Sequence, residues 1–139
     1  MTARLGERPT ESHPVSDDAD VVRVRQAVRT QAVAAKLSLI DQTKLVTATS
    51  ELARNTVIYG RGGTAVIEHV SLHNRAGIRV TFSDGGPGIP DLEKALTDGW
   101  TSGVGMGLGL SGARRLVDEF DISSSPGEGT TVTVTKWAR

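Results

Sequence analysis

Apolar and polar residues alternate along this chain in two rhythms, one of helices and one of strands. The segment "VVRVR" alternates as a strand does, so order is expected to start near Val21. The alanine-rich "QAVRTQAVAAKL" after it places Val28, Ala32 and Ala35 on one side of a helix. Ser38, with Asp41 three positions on, resembles a capping box with Asp in place of Glu, opening a long helix through about Ile58 that stops before Gly60. "GRGG" then reads as a turn, and "TAVIEHVSLH" and "GIRVTFSD" read as two strands of a hairpin joined around Asn74 to Gly77. Beyond Asp84 come "GGPGIP", a short helix at about 91–97, a glycine-rich loop and a helix at about 107–119. Strands near 120–125 and 129–137, parted by the turn "SPGEG", close the pattern. Residues 1–17 mix proline, serine and charge without periodicity and predict a disordered arm, leaving 18–139 as the folded domain. Strands grouped with long helices between them predict a two-layer α/β sandwich, a mixed β-sheet covered on one face by helices. The chain shows neither an internal repeat nor a domain boundary.

Composition narrows what such a domain does. A chain of 139 residues buries roughly two-thirds of its unfolded surface without outside staples. The absence of cysteine excludes disulfides and thiolate metal sites, and a reducing compartment is the simplest setting. Sixteen basic residues balance sixteen acidic ones, which argues against a broad nucleic-acid or anionic-membrane footprint. No run approaches the roughly 18 apolar residues of a membrane span, and the start lacks a charged-then-apolar signal pattern. A soluble, cytoplasmic protein that binds neither nucleic acid nor membrane is expected.

Three short segments carry candidate chemistry. In "ELARN", Glu51 and Asn55 stand at i and i+4, about 40° apart around a helix axis, so a carboxylate and an amide oxygen share one face. Such a pair suits holding magnesium and orienting a nucleophile, although taken alone it reads first as a surface ion pair and a capped fraying helix end. In "DGGPGI", Asp84 ends an apolar strand, where an ionised carboxylate that only accepts hydrogen bonds suits an exocyclic amine such as adenine N6. Gly86 and Gly88 there let a flat ligand approach the main chain, although an ordinary turn begins the same way. The third segment, "GVGMGLGL", runs into a helix whose free N–H groups and dipole favour an anion. Its spacing fits neither a Walker A loop nor a dinucleotide fingerprint. Thr101 and Ser102, just before it, add hydroxyls that suit phosphate contacts and turns equally.

The ordered set is more specific than its parts. Glu51 to Asn55, then Asp84 to Ile89, then a lid ending in Gly105, Gly107 and Gly109, and finally "GEGTT", resembles the GHKL family of ATPases and kinases over about residues 20–137. In that family's terms these segments look like the N, G1 and G2 boxes. The resemblance implies adenine bound to Asp84, with Gly86, Gly88 and Ile89 around it and Thr130 near the base. It also implies Mg2+ held through Asn55, ATP phosphates over Thr101, Ser102, Gly105, Gly107, Leu108 and Gly109, and Glu51 as the base that accepts a proton from an incoming hydroxyl. The histidines, His13, His69 and His73, fall in the predicted arm and hairpin rather than on a dimerisation helix, which weighs against a histidine kinase. What remains is similar to the compact serine-kinase branch of anti-sigma factors and switch kinases. That branch implies a serine/threonine kinase acting on a small STAS-domain regulator, with a PP2C-type phosphatase as a second partner. The alternative it implies is an anti-sigma factor that sequesters a sigma factor in a nucleotide-dependent way. Met106 and Ser111 depart from the glycine-leucine repeat and proline expected of the lid, which bears on its stiffness.

Overall fold

The computed structural model describes residues 10–89, 91–96 and 109–139. Its elements are β1 (Glu11–Val15), α1 (Asp18–Ala34), α2 (Leu39–Ile58), β2 (Gly63–Leu72), β3 (Arg75–Asp84), α3 (Leu92–Ala95), α4 (Leu110–Leu116), β4 (Glu119–Ser124) and β5 (Thr130–Trp137). The strands form one sheet in the order β1-β2-β3-β5-β4, with α1 and α2 packed on one face. This is the expected two-layer α/β class, with one correction: every pairing among the described residues is antiparallel. The sheet is not mixed because β5 turns back from β4 and inserts beside β3, separating the two strands that run the same way.

Two expectations near the N-terminus are also corrected. Residues 11–15, expected in a disordered arm, form an edge strand on β2, pairing Glu11 with Ile67 and Val15 with Gly63. One buried residue, Val15, anchors it, and Pro14 is tolerated because an edge strand needs ladder bonds on one side only. The segment "VVRVR" belongs to α1 rather than to a strand. Asp17 caps that helix by accepting from the Asp20 N–H at 2.9 Å, and Val21, Val24, Val28 and Ala32 then repeat at helical spacing toward the core. The strand-like alternation was short and local, and Val22 stays exposed.

The rest follows the sequence closely. Ser38 Oγ accepts from the Asp41 N–H at 3.1 Å, which caps α2, and β2 and β3 meet through His73 and Asn74. Both of those have positive φ (52° and 64°), the requirement of a two-residue hairpin loop whose twist matches its strands. Leu45 and Leu52 of α2, with Val24 and Val28 of α1, pack onto Ile67, Ile78, Val80, Phe82 and Val134 of the sheet. Each such side chain contributes about 1.5–3 kcal/mol when fully buried.

Asp41 does not complete its capping box. Its carboxylate instead meets Lys136 Nζ at 3.5 Å and Arg139 Nε at 3.5 Å, while Asp118 meets Lys136 Nζ at 3.4 Å. Lys136 sits on the helix-facing side of β5, so the start of α2 is pinned to the sheet by a largely buried charge cluster. Burial raises the Asp118 carboxyl, but the Trp137 backbone N–H (2.8 Å) and the charges of Lys136 and Arg139 outweigh it and hold the group below the ordinary value of 3.8. A carboxyl lowered in the folded state stabilises the fold above its unfolded pKa and loses that contribution as pH falls through the folded one. Thermal unfolding followed from about pH 6 down to about pH 3 should show a falling Tm, and Asp118→Asn should fall less over the same interval.

Candidate functional site

A cleft opens where α2 ends above the last residues of β3 and the first of β5. It is open to solvent on one side and is walled by Leu52, Thr56, Phe82, Leu110 and Val132. Asn55, Asp84, Gly88, Ile89 and Thr130 line it, so five of the predicted site residues meet in one place. A mostly apolar slot with a few convergent polar groups suits a small-molecule ligand.

Sheet register aligns the polar groups. Gly63, Asp84, Thr130 and Ser124 stand in one row across β2, β3, β5 and β4. Asp84 Oδ1 accepts from the backbone N–H groups of Gly86 at 2.9 Å and Thr130 at 3.3 Å. Those two donors fix the carboxylate and leave Oδ2 without a hydrogen bond among the described residues. Oδ2 lies against Gly60, where a Cβ would come within 2.4 Å of it. Gly86 packs in turn on Gly60, with a Cβ reaching 2.8 Å from its Cα. Gly86 is thus placed behind the carboxylate rather than in the cleft lining.

The loop from Gly85 to Ile89 is held on the β4–β5 turn. The Ile89 N–H donates to Ser124 Oγ at 2.8 Å, and the Gly127 N–H donates to the Pro87 carbonyl at 2.7 Å. Gly88 has φ +80°, and a Cβ there would lie 2.1 Å from the Ser125 carbonyl oxygen, so both backbone and space require glycine. Ser124 Oγ also shares a hydrogen bond with Thr130 Oγ1 at 2.8 Å and donates to the Gly129 carbonyl at 3.1 Å.

Glu51 stands one turn before Asn55 on α2, outside the cleft lining. Its carboxylate flanks Gly109, where a Cβ would come within 2.5 Å of Oε2, and Arg54 Nη1 is 3.8 Å from Oε1. Gly109, with φ +70°, is the N-cap of α4, which begins at Leu110 rather than near 107. The expected contacts of Thr101, Ser102, Gly105, Gly107 and Leu108 lie outside the described residues.

Sequence reasoning missed Gly60 and Ser124. Gly60 reads as a helix stop, which it is: its N–H donates to the Asn55 carbonyl at 3.0 Å. That its missing side chain also makes room for Asp84 is a long-range fact with no local signature. Gly60→Ala should push the Asp84 carboxylate aside and destabilise the fold by about 1–3 kcal/mol, the usual scale of overpacking. Thermal unfolding checks this, and Gly112→Ala, which has open space at its Cβ, should lose none of that stability.

Comparison with known proteins agrees with this geometry. The family model of histidine kinase-, DNA gyrase B- and HSP90-like ATPases matches residues 40–139. The chain is 42% identical over 120 residues to the serine/threonine-protein kinase RsbT of Bacillus subtilis, covering 86% of this chain and 90% of that one. It is 33% identical over 116 residues to the anti-sigma F factor of a Thermoanaerobacter species, covering 76% and 80%. The crystal structure of the RsbU and RsbW domains of Rv1364c from Mycobacterium tuberculosis superposes with a TM-score of 0.64 at 23% identity, covering 95% of this chain and 33% of that one, a likeness of fold.

Proposed function

Since the chain belongs to the histidine kinase-, DNA gyrase B- and HSP90-like ATPases, in the branch of RsbT and the anti-sigma F factors, we propose that it is an ATP- and Mg2+-dependent serine/threonine kinase and that its substrate is a small STAS-domain regulator. The observation that carries this reading is the Asp84 carboxylate, fixed through Oδ1 and free to accept at Oδ2 in the wall of an apolar cleft. An acceptor held there suits the adenine amine, and Phe82, Ile89 and Val132 offer apolar surface to the ring. Thr130, hydrogen-bonded to Ser124, sits beside the same place.

Asn55 faces the same cleft and offers an amide oxygen to Mg2+. Magnesium is ordinarily held by one or two protein ligands together with phosphate oxygens, so a single asparagine fits it. When bound, ATP and Mg2+ supply the transferable phosphoryl group and neutralise its charge. The chain's own part is positioning. Glu51, on the same face of α2 one turn away, is placed to take the proton of an incoming hydroxyl, and Gly109 keeps space open beside its carboxylate. The lid residues Thr101, Ser102, Gly105, Gly107 and Leu108, with Gly109, belong to the phosphate side of this reading.

Phosphate added to the partner places one to two further negative charges beside Glu51 and the nucleotide phosphates, so the product complex should be weaker. This is the basis of a partner switch: release follows transfer, and the freed kinase engages a second partner, a PP2C-type phosphatase. Incubation with a STAS-domain protein, ATP and Mg2+ tests it. Phosphoserine or phosphothreonine on the partner, with an acceptor-to-alanine partner held and an acceptor-to-aspartate partner released, is the expected result. The identity to anti-sigma F factors supports a second reading, nucleotide-dependent sequestration of a sigma factor. Stable capture of a sigma factor with no phosphate gained by any STAS protein would replace the first reading with it.

A further inference from the structure

Five of the six large apolar side chains left most exposed among the described residues lie on α1 and α2: Val22 (48%), Val33 (55%), Leu39 (70%), Ile40 (68%) and Ile58 (48%). Three of them fall on one line. The two helices run antiparallel through a four-residue connection, Ala35 to Ser38, and the Arg29 to Gln42 hydrogen bond (3.4 Å) sets their mutual register on the side away from the sheet. Val33 is eleven residues from Val22, three turns on the same face of α1, and Leu39 is seven residues before Val46, two turns on the same face of α2. Between these ends Val22, Arg25, Gln26, Arg29 and Val46 surround a depression of about 190 Å³. The line from Val22 to Val33 is about 16 Å long, at 1.5 Å per helical residue.

Charge is as one-sided as hydrophobicity here. Arg25 and Arg29 line the depression, and Lys36 and Lys44 stand exposed on the same pair of helices or the turn between them. None of these four makes an ion pair with a described residue, whereas Arg23 at the acidic start of α1 is taken up by Asp20. In a chain with no net charge, two uncompensated cations, Arg25 and Arg29, in the lining of an apolar furrow are a local excess. An apolar stripe of three turns with cations along it is complementary to one kind of occupant.

We propose that the outward groove between α1 and α2 docks an acidic amphipathic helix of a protein partner. Leucine-type residues of that helix at i, i+3 or i+4 and i+7 enter between Val22, Val46, Val33 and Leu39, and its carboxylates meet Arg25 and Arg29. The occupant spans about three to four turns, or about 11–15 residues. Electrostatic complementarity supplies encounter rate and selectivity, and the apolar line supplies most of the affinity. The groove lies on the helix layer, and none of its lining residues lines the nucleotide cleft. The inference therefore stands or falls separately from the kinase reading.

The test uses the full chain and a synthetic acidic peptide of about 15 residues, with leucine at heptad a and d positions, glutamate elsewhere and a hydrocarbon staple on its outer face to hold it helical. Anisotropy titration and amide shifts of the 15N-labelled chain should place it on residues 22–46. Arg25→Glu combined with Arg29→Glu should weaken it roughly tenfold or more, and raised salt should weaken it as well. Val22→Ser with Leu39→Ser should weaken it without changing the salt dependence. ATP affinity should be unchanged in both double variants, which shows that they are folded. Equal binding of a peptide of scrambled order, shifts on the sheet face or in the cleft, or indifference to charge reversal would each overturn the proposal. So would a dimer of the chain alone that Arg25→Glu with Arg29→Glu dissociates, since the groove would then hold a second copy.

Discussion

Glu51→Gln should keep ATP and Mg2+ binding and lose phosphoryl transfer by about 10²-fold or more, the scale of a positioned general base. The carboxylate and the amide occupy nearly the same volume, so the approach to Gly109 and the course of α2 are preserved. What disappears is the ability to accept a proton. Single-turnover transfer to the proposed STAS-domain substrate reads the chemical step, and calorimetry reads nucleotide affinity. Asn55→Ala supplies the contrast: on the proposed reading it should lose Mg2+-dependent affinity and transfer together, because the proposed oxygen ligand is removed from the cleft wall. If Glu51→Gln lost binding as Asn55→Ala does, Glu51 would be a support for α4 rather than a base.

The second large effect falls on Asp84. Asp84→Asn should lower ATP affinity by roughly 1.5–3 kcal/mol, about one to two decades, as for hydrogen bonds to charged groups. Geometry sharpens the reason. Oδ1 receives two backbone N–H donors, from Gly86 and Thr130, so an asparagine at 84 must keep its carbonyl oxygen there. Its NH2 then occupies the place of Oδ2 and points a donor at the ligand amine, donor facing donor. The fold should survive, because the two intramolecular bonds are retained. Guanine nucleotides should bind poorly to the native chain and gain relative to ATP in the variant, since a carbonyl replaces the amine opposite residue 84. Calorimetric titration with ATP and GTP measures both, and ATP affinity at the native level would remove Asp84 from the site.

The site was more legible in the sequence than the fold's first strand, for a physical reason. Asp84, Gly88, Ile89 and Asn55 belong to compact segments whose spacing is set by local backbone, and the hairpin and the capped α2 bring them together as read. Gly60 and Ser124 meet Asp84 and Ile89 only through the sheet register and the end of α2, and no short window records that. The edge strand at 11–15 shows the opposite failure. Its one buried residue, Val15, leaves a polar sequence that resembles a free arm, and only pairing with β2 makes it a strand. "VVRVR" misled because five residues sample too little of either period, whereas the valines and alanine from 21 to 32 keep the helical one.

The cluster of Asp41, Asp118, Lys136 and Arg139 makes α2 an anchored lever. Asp41 is the pinned end, and Asn55 lies fourteen residues along the rod, about 21 Å away at 1.5 Å per residue. At that arm length a tilt of about 3° about the pin carries Asn55 through about 1 Å, the order of misplacement that costs a reaction about 10²-fold. Such a tilt is resisted by the ionic pin and by the α2 side chains buried on the sheet. The four ionic side chains hold the near end of that rod and the buried Leu45 and Leu52 hold its length, and together they keep Asn55 at its place opposite Asp84.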